Sequence, residues 1–326
     1  LIGILFAYDN ISAWPNTTHY YNNVLEFTNS NDITISGNGG INGQGYNWWW
    51  NAIINKLPYS RPNLLVFEKC ENIYIDTIQL YNSPQYHINM VDVWNVLIEH
   101  ITITVTTHLQ EQLPIFPLNT DGIDIAGDLV YINNVSITNF DDAIAIKPLN
   151  QGNTINCSRN MLIENSRVNY GVGMSIGSVS PNKNVNCVEN ITFQNIEFHD
   201  PIKSIYIKTN PGSSGTGTIR NIFYKNIYIH KPIWFNIYIG PQQEKEPNGN
   251  GPGCMLYPIT DCETQPLITI ENITLQNITT DSSVLNLDYI IRCNESNPCK
   301  HIQFVNVSSD VGDYICENVI DSYGIC

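Results

Sequence analysis

Asn190-Ile191-Thr192-Phe193-Gln194-Asn195-Ile196-Glu197-Phe198 decides the fold. Ile191 and Phe193 alternate with polar residues, as do Ile196 and Phe198, and Asn195 separates the two halves. That is the pattern of strand, sharp bend, strand. The same run, opened by a polar residue that is often Asn, recurs as Asn72-Ile-Tyr-Ile, Asn95-Val-Leu-Ile, Leu129-Val-Tyr-Ile, Asn160-Met-Leu-Ile, Asn221-Ile-Phe-Tyr, Asn272-Ile-Thr-Leu and His301-Ile-Gln-Phe. Most starts lie 23 to 34 residues apart. Repeats of this length made only of strands predict a parallel β-helix, in which each coil covers the apolar face of its neighbour and asparagines stack at the bends. A β-sandwich or propeller is the rival, but hairpin signals are scarce between residues 60 and 240. Nothing reads as a long amphipathic helix.

One domain over residues 1–326 is expected. A solenoid needs atypical end coils; the cysteine-rich segment 290–326 is the expected C-terminal cap. Leu1 to Phe6 begins as a strand with no cap before it, so one or more earlier coils are expected to be missing. Two stretches break the repeat: Asn47-Trp48-Trp49-Trp50, read as core packing ahead of sugar stacking, and the Pro/Gly-rich loop 239–253, either flexible or ligand-facing.

The chain carries 15 Lys and Arg against 30 Asp and Glu, a net charge of −15. Such a balance excludes a phosphate-backbone partner, which requires clustered cations, so no nucleic acid is expected. The apolar opening is far short of the roughly 20 residues a membrane span needs. Nine cysteines include three close pairs. Cys254 with Cys262, Cys293 with Cys299 and Cys316 with Cys326 would close short loops, Cys157 with Cys187 a longer one, leaving Cys70 alone. A zinc site is the competing reading, but no C-x₂-C spacing is present and no metal is expected. Disulfides imply an oxidising, secreted compartment. Nine N-x-S/T sequons (Asn10, Asn16, Asn134, Asn156, Asn190, Asn272, Asn277, Asn294, Asn306) are glycosylation candidates, although 44 asparagines predict about six by chance.

Asn119-Thr120-Asp121-Gly122 is followed one coil later by Asp141-Asp142, 20 and 21 residues beyond Asp121. Stacking would set three carboxylates on one surface, where repulsion and burial raise at least one pKa. One protonated carboxyl for a leaving oxygen and one carboxylate for water make the inventory of glycoside hydrolysis. A calcium site would want more oxygen ligands at close spacing.

These motifs, with Gly171 to Ser178 and Ile205 to Thr209 following in order, resemble the polygalacturonase family of glycoside hydrolases, the pectinases. The resemblance covers about residues 70 to 320. It implies a right-handed parallel β-helix that hydrolyses with inversion and without a cofactor. It further implies Asp141 as general acid, Asp121 and Asp142 as holders and activators of the water, and Lys208 as the cation meeting a substrate carboxylate. Asn119 and Tyr206 complete the expected substrate-binding set. Three departures stand out: the family's Gly-His-Gly is Gly171-Val172-Gly173, its Arg-Ile-Lys is Tyr206-Ile207-Lys208, and its Cys after the Asp pair is Ala143. Val172 cannot hydrogen-bond to an acid, and Tyr206 cannot form a bidentate carboxylate clamp. Residues 141–210 hold six basic and six acidic residues, which permits an anionic sugar near Lys208.

Two functions are therefore expected in competition. One is a secreted glycosidase acting on a pectin-like or other acidic polysaccharide. The other is a catalytically weak or inactive β-helix glycoprotein with a structural or carbohydrate-binding role, stacking with other extracellular chains.

Overall fold

The computed structural model describes every residue except 18, 108–114, 150–156, 185, 244–253, 255–256, 285–286 and 310–312. Most of loop 239–253 and the sequon at Asn156 lie outside the described residues.

In the deciding stretch Ile191, Phe193, Ile196 and Phe198 are all buried, whereas Thr192, Gln194 and Glu197 face outward. Asn190 and Asn195 absorb the bends at φ of 57° and 55°, a left-handed conformation that asparagine tolerates better than most residues. Strand Asn186–His199 pairs in parallel with Ser158–Tyr170 on one side and Gly217–His230 on the other. Every pairing between strands of the described residues is parallel, so the coils form a right-handed parallel β-helix.

Three sheets wrap the coil. The first, which carries the site, runs from Leu25–Thr28 and Leu65–Glu68 through the starts of Ile88–Glu99 and Ile123–Asn133. It continues through Ile144–Ile146, Met174–Val179, Lys203–Thr209 and Phe235–Gln242 to Leu287–Arg292 and Asp313–Glu317. The other two meet in the long bent strands Ser158–Tyr170, Asn186–His199, Gly217–His230, Ile268–Thr280 and Cys299–Ser309. Between them the core is made of side-chain columns in register, Ile125-Ile146-Ile176-Ile207-Ile239 on one side and Ile163-Phe193-Tyr224-Leu275-Phe304 on another. Each fully buried side chain stabilises the stack by roughly 1.5–3 kcal/mol.

Asparagine ladders fasten the bends. Asn165, Asn195, Asn226, Asn277 and Asn306 each donate Nδ2–H to the residue one coil earlier, beginning at Asn133. A second ladder runs Asn160, Asn190, Asn221, Asn272, and a short one joins Asn95 to Asn72. The sequon residues Asn190, Asn272, Asn277 and Asn306 are thus ladder donors, Asn294 bonds Thr264, and Asn10, Asn16 and Asn134 are exposed.

The four disulfides pair as the spacing predicts, and Cys70 is free and buried. Segment 290–326 continues the parallel stacking through Val319–Ile320 while Cys293–Cys299 and Cys316–Cys326 tie it. The tryptophan run forms a short helix, Tyr46–Ile53, with Trp48 and Trp49 buried; Trp48 packs edge-on against Trp14 and Tyr21, so core packing holds for both. No helix of the described residues is long and apolar enough to cross a membrane.

Candidate active site

On the first sheet, outward positions line up across coils as Asn89-Asp124-Ala145-Ser175-Tyr206-Tyr238. The register that pairs Ile123 with Ile144 also sets Asp121 opposite Asp142 on the next coil. Gly122 permits that approach, because a Cβ there would lie 2.3 Å from the Ala143 carbonyl oxygen. The fold thus gathers Asp121, Asp141 and Asp142, with one carboxylate oxygen of each within 4.8 Å of the others.

Each carboxylate is held differently. The backbone N–H of Asn119 donates to Asp141 Oδ2 at 2.8 Å, and that of Asp142 donates to Asp141 Oδ1 at 3.0 Å. Asp142 receives the Lys208 ammonium at 2.6 Å and the Ser175 hydroxyl at 2.6 Å, with Lys147 at 3.7 Å. Asp124, on the next outward position, pairs with Lys147 at 3.2 Å. Asp121 is buried, and its Oδ1 has no hydrogen-bond partner among the described residues. Beneath it, His87 is wholly buried: Nε2 accepts the Ser83 N–H, which makes Nδ1 the protonated nitrogen that donates to the Asp121 carbonyl. Burial holds the His87 pKa near 4, so the ring is a neutral support for the Asp121 backbone.

Electrostatics divides the carboxylates. Burial pushes Asp121 well above the usual carboxylate range, and the charges of Asp124, Asp141 and Asp142 push it further. Burial and the Asp142 charge likewise raise Asp141. Asp124 is pushed up to about 6, chiefly by burial and against the pull of Lys147. Burial would raise Asp142 too, but Lys208 and Lys147 with the Ser175 hydroxyl outweigh it and hold Asp142 below its ordinary value. The cluster can therefore keep Asp142 ionised while a proton resides on Asp121 or Asp141. A divalent cation would have to share Asp142 with two ammonium groups, so this donor set suits proton chemistry better than metal binding.

The three expected catalytic carboxylates come together. Asn119 is present through its backbone N–H, while its side-chain oxygen accepts from Arg61. Two residues expected to contact substrate, Lys208 and Tyr206, are buried. Lys208 is 2% exposed and its ammonium is engaged by Asp142. Tyr206 is also 2% exposed: it stacks on Tyr238 with ring centroids 5.4 Å apart, below Lys203, in an aromatic cluster that Val172 joins.

Asp124, Lys147, Ser175, Arg61 and Lys203 were not anticipated. For three of them the period-two alternation was a usable signal, since Asp124 and Ser175 occupy outward positions of the carboxylate column and Lys147 directly follows the strand Ile144–Ile146. Arg61 had none, lying 58 residues before Asn119.

The family model described as glycosyl hydrolases family 28 matches residues 7–324. Polygalacturonase QRT2 of Arabidopsis thaliana is 26% identical over 98% of this chain and 69% of its own length. A polygalacturonase of Cryptomeria japonica is 28% identical over 94% of this chain and 54% of its own. Among solved structures, the endo-xylogalacturonan hydrolase of Aspergillus tubingensis superposes with a TM-score of 0.78 over 99% of this chain and 82% of that one, at 19% identity, a likeness of fold. The chain thus spans about half to two thirds of the length of these curated relatives.

Proposed function

Because the chain belongs to glycosyl hydrolases family 28, we propose that it hydrolyses a pectin-like or other acidic polysaccharide outside the cell, with Asp121, Asp141 and Asp142 as its machinery. The observation that carries this is the division of labour among three carboxylates within 4.8 Å: one ionised by Lys208, the others biased toward a proton. Asp141, only half-buried, donates its proton to the glycosidic oxygen as the bond to the anomeric carbon breaks. Water held by Asp142 and Asp121 attacks the opposite face, and its proton passes to that pair. Oxygens this close are nearer than the roughly 6.5–9.5 Å usual for inverting pairs, so inversion requires the water to sit beside the carboxylates. Four disulfides are in keeping with secretion.

The second reading, a weak or inactive structural glycoprotein, is favoured by Val172, whose side chain has no hydrogen-bonding group and whose backbone N–H donates to the Asp141 carbonyl at 2.8 Å. Reducing-end release from polygalacturonate, rhamnogalacturonan and a neutral glucan, compared with the Asp141→Asn variant, separates the two. Release abolished in the variant supports the glycosidase; release equal to the variant on every polymer moves the assignment to the structural role. The anomer first seen by proton NMR tests inversion.

A further inference from the structure

Beside the carboxylates lies a groove of about 280 Å³, lined by Asn55, Tyr59, Ser60, Arg61, Gln85 and Asn119 among others. Amides and a hydroxyl offer donors and acceptors for sugar hydroxyls, and the half-buried Tyr59, whose ring meets Tyr21 at 5.6 Å, borders them. Arg61 supplies a cation in a chain where acids outnumber bases two to one. No carboxylate of the described residues pairs with it. Among the described residues its Nη2 is the nitrogen engaged, donating to the Leu118 carbonyl at 2.7 Å and to Asn119 Oδ1 at 3.2 Å. A guanidinium has five donors, so Nε and Nη1 remain for a ligand, in the fork geometry that receives a carboxylate.

The groove adjoins the reacting centre. Arg61 touches Asn119, whose backbone N–H holds Asp141 Oδ2 at 2.8 Å. The negative charges of Asp141 and Asp121 are close enough to be felt at the guanidinium. The volume suits roughly one sugar residue.

We propose that this groove is a uronate subsite in which Arg61 receives the carboxylate of the sugar next to the cleaved bond and, through Asn119, positions the acid Asp141. The proposal deepens the glycosidase reading and rests on it for the role of Asp141. Lys208 and Tyr206, expected on the substrate, are each 2% exposed, whereas Arg61 lines the groove itself.

The test is calorimetric binding of trigalacturonate and of its methyl ester to the Asp141→Asn variant, with and without Arg61→Met and Arg61→Lys. Arg61→Met is expected to weaken trigalacturonate roughly 10- to 100-fold, the range of lost charge-assisted hydrogen bonds, and to leave the ester within about twofold. Arg61→Lys should recover part of the loss. With Asp141 intact, Arg61→Met should also move the alkaline limb of the pH–rate profile, because the Asn119 tie loosens. Equal weakening of both ligands, or none, overturns the subsite. Hydrolysis of polygalacturonate with binding indifferent to Arg61 sinks this inference alone. Arg61-dependent binding without hydrolysis of any polymer sinks the glycosidase reading and leaves the subsite standing.

Discussion

Lys208 Nζ stands 2.6 Å from Asp142 Oδ2, and neither side chain shows more than 3% of its surface to solvent. A pair this buried repays its desolvation only while both partners are present. Lys208→Met leaves Asp142 with Lys147 at 3.7 Å as its remaining cation, and should cost about 3–5 kcal/mol in urea unfolding. The double variant Lys208→Met with Asp142→Asn should recover most of that. A single variant as stable as the parent would show that the pair contributes nothing.

The pH–rate profile follows from the opposed shifts. Asp142 is depressed, so the ionised form it contributes is lost only as pH falls through its low folded pKa; Asp141 is raised, so its proton is lost as pH rises through a value above 3.8. A bell is expected in kcat/KM, with its acid limb set by Asp142 and its alkaline limb by Asp141. Ser175→Ala removes a 2.6 Å hydrogen bond to the ionised Asp142, so its pKa rises and the acid limb moves to higher pH, by about one unit at most. An acid limb that stays put would detach Asp142 from the rate.

Lys203 is a cost to the fold. It is 4% exposed, its ammonium lies 4.1 Å and 4.7 Å from the ring centroids of Tyr206 and Tyr238, and burial with the charge of Lys208 lowers its pKa to about 7. A folded value below the unfolded 10.5 means that the penalty is complete below pH 7 and vanishes above 10.5. The ring faces offset a part of it. Lys203→Met should therefore gain about 1–3 kcal/mol at pH 5 and progressively less towards pH 10, measured by urea unfolding at both ends. A gain that grows with pH would contradict this account.

Leu129 interrupts the second ladder between asparagines on both sides. Leu129 stands in register between Asn95 and Asn160, has φ of 60° and leaves its side chain 49% exposed, while Asn160 turns to Asp128 instead. Leu129→Asn would relieve the left-handed backbone and join the ladder of Asn72 and Asn95 to that of Asn160 and Asn190. A stabilisation of about 1–2 kcal/mol is expected in urea. No change would mean that the gap is filled in another way.

What the sequence displayed of this was uneven. Strand and bend were legible in Ile191, Phe193, Asn195 and Ile196 because burial has a period of two and asparagine accepts the bend; a coil repeats that signal many times. The carboxylates were legible because their separation of 20 and 21 residues is about one coil. The setting of Tyr206 was not legible because its neighbours are one coil away: Tyr238 is 32 residues later, and only register shows that the two rings stack. Arg61 was invisible for the same reason, its contact with Asn119 joining segments whose spacing carries no motif.

The site draws Asp121, Asp141 and Asp142, Ser175, and Lys208 from four successive rungs of the first sheet. A stack of this kind loosens from its ends inward, each rung depending on its immediate neighbours. Fraying of the outer rungs leaves the four intact, whereas opening any one between Ile123–Asn133 and Lys203–Thr209 takes the ionised Asp142 away from its cation or from Asp121. On the proposed function, activity would report on the middle of the stack. Amides of these rungs should be among the last to exchange with deuterium, and activity should survive partial melting at either extremity and then vanish in one step.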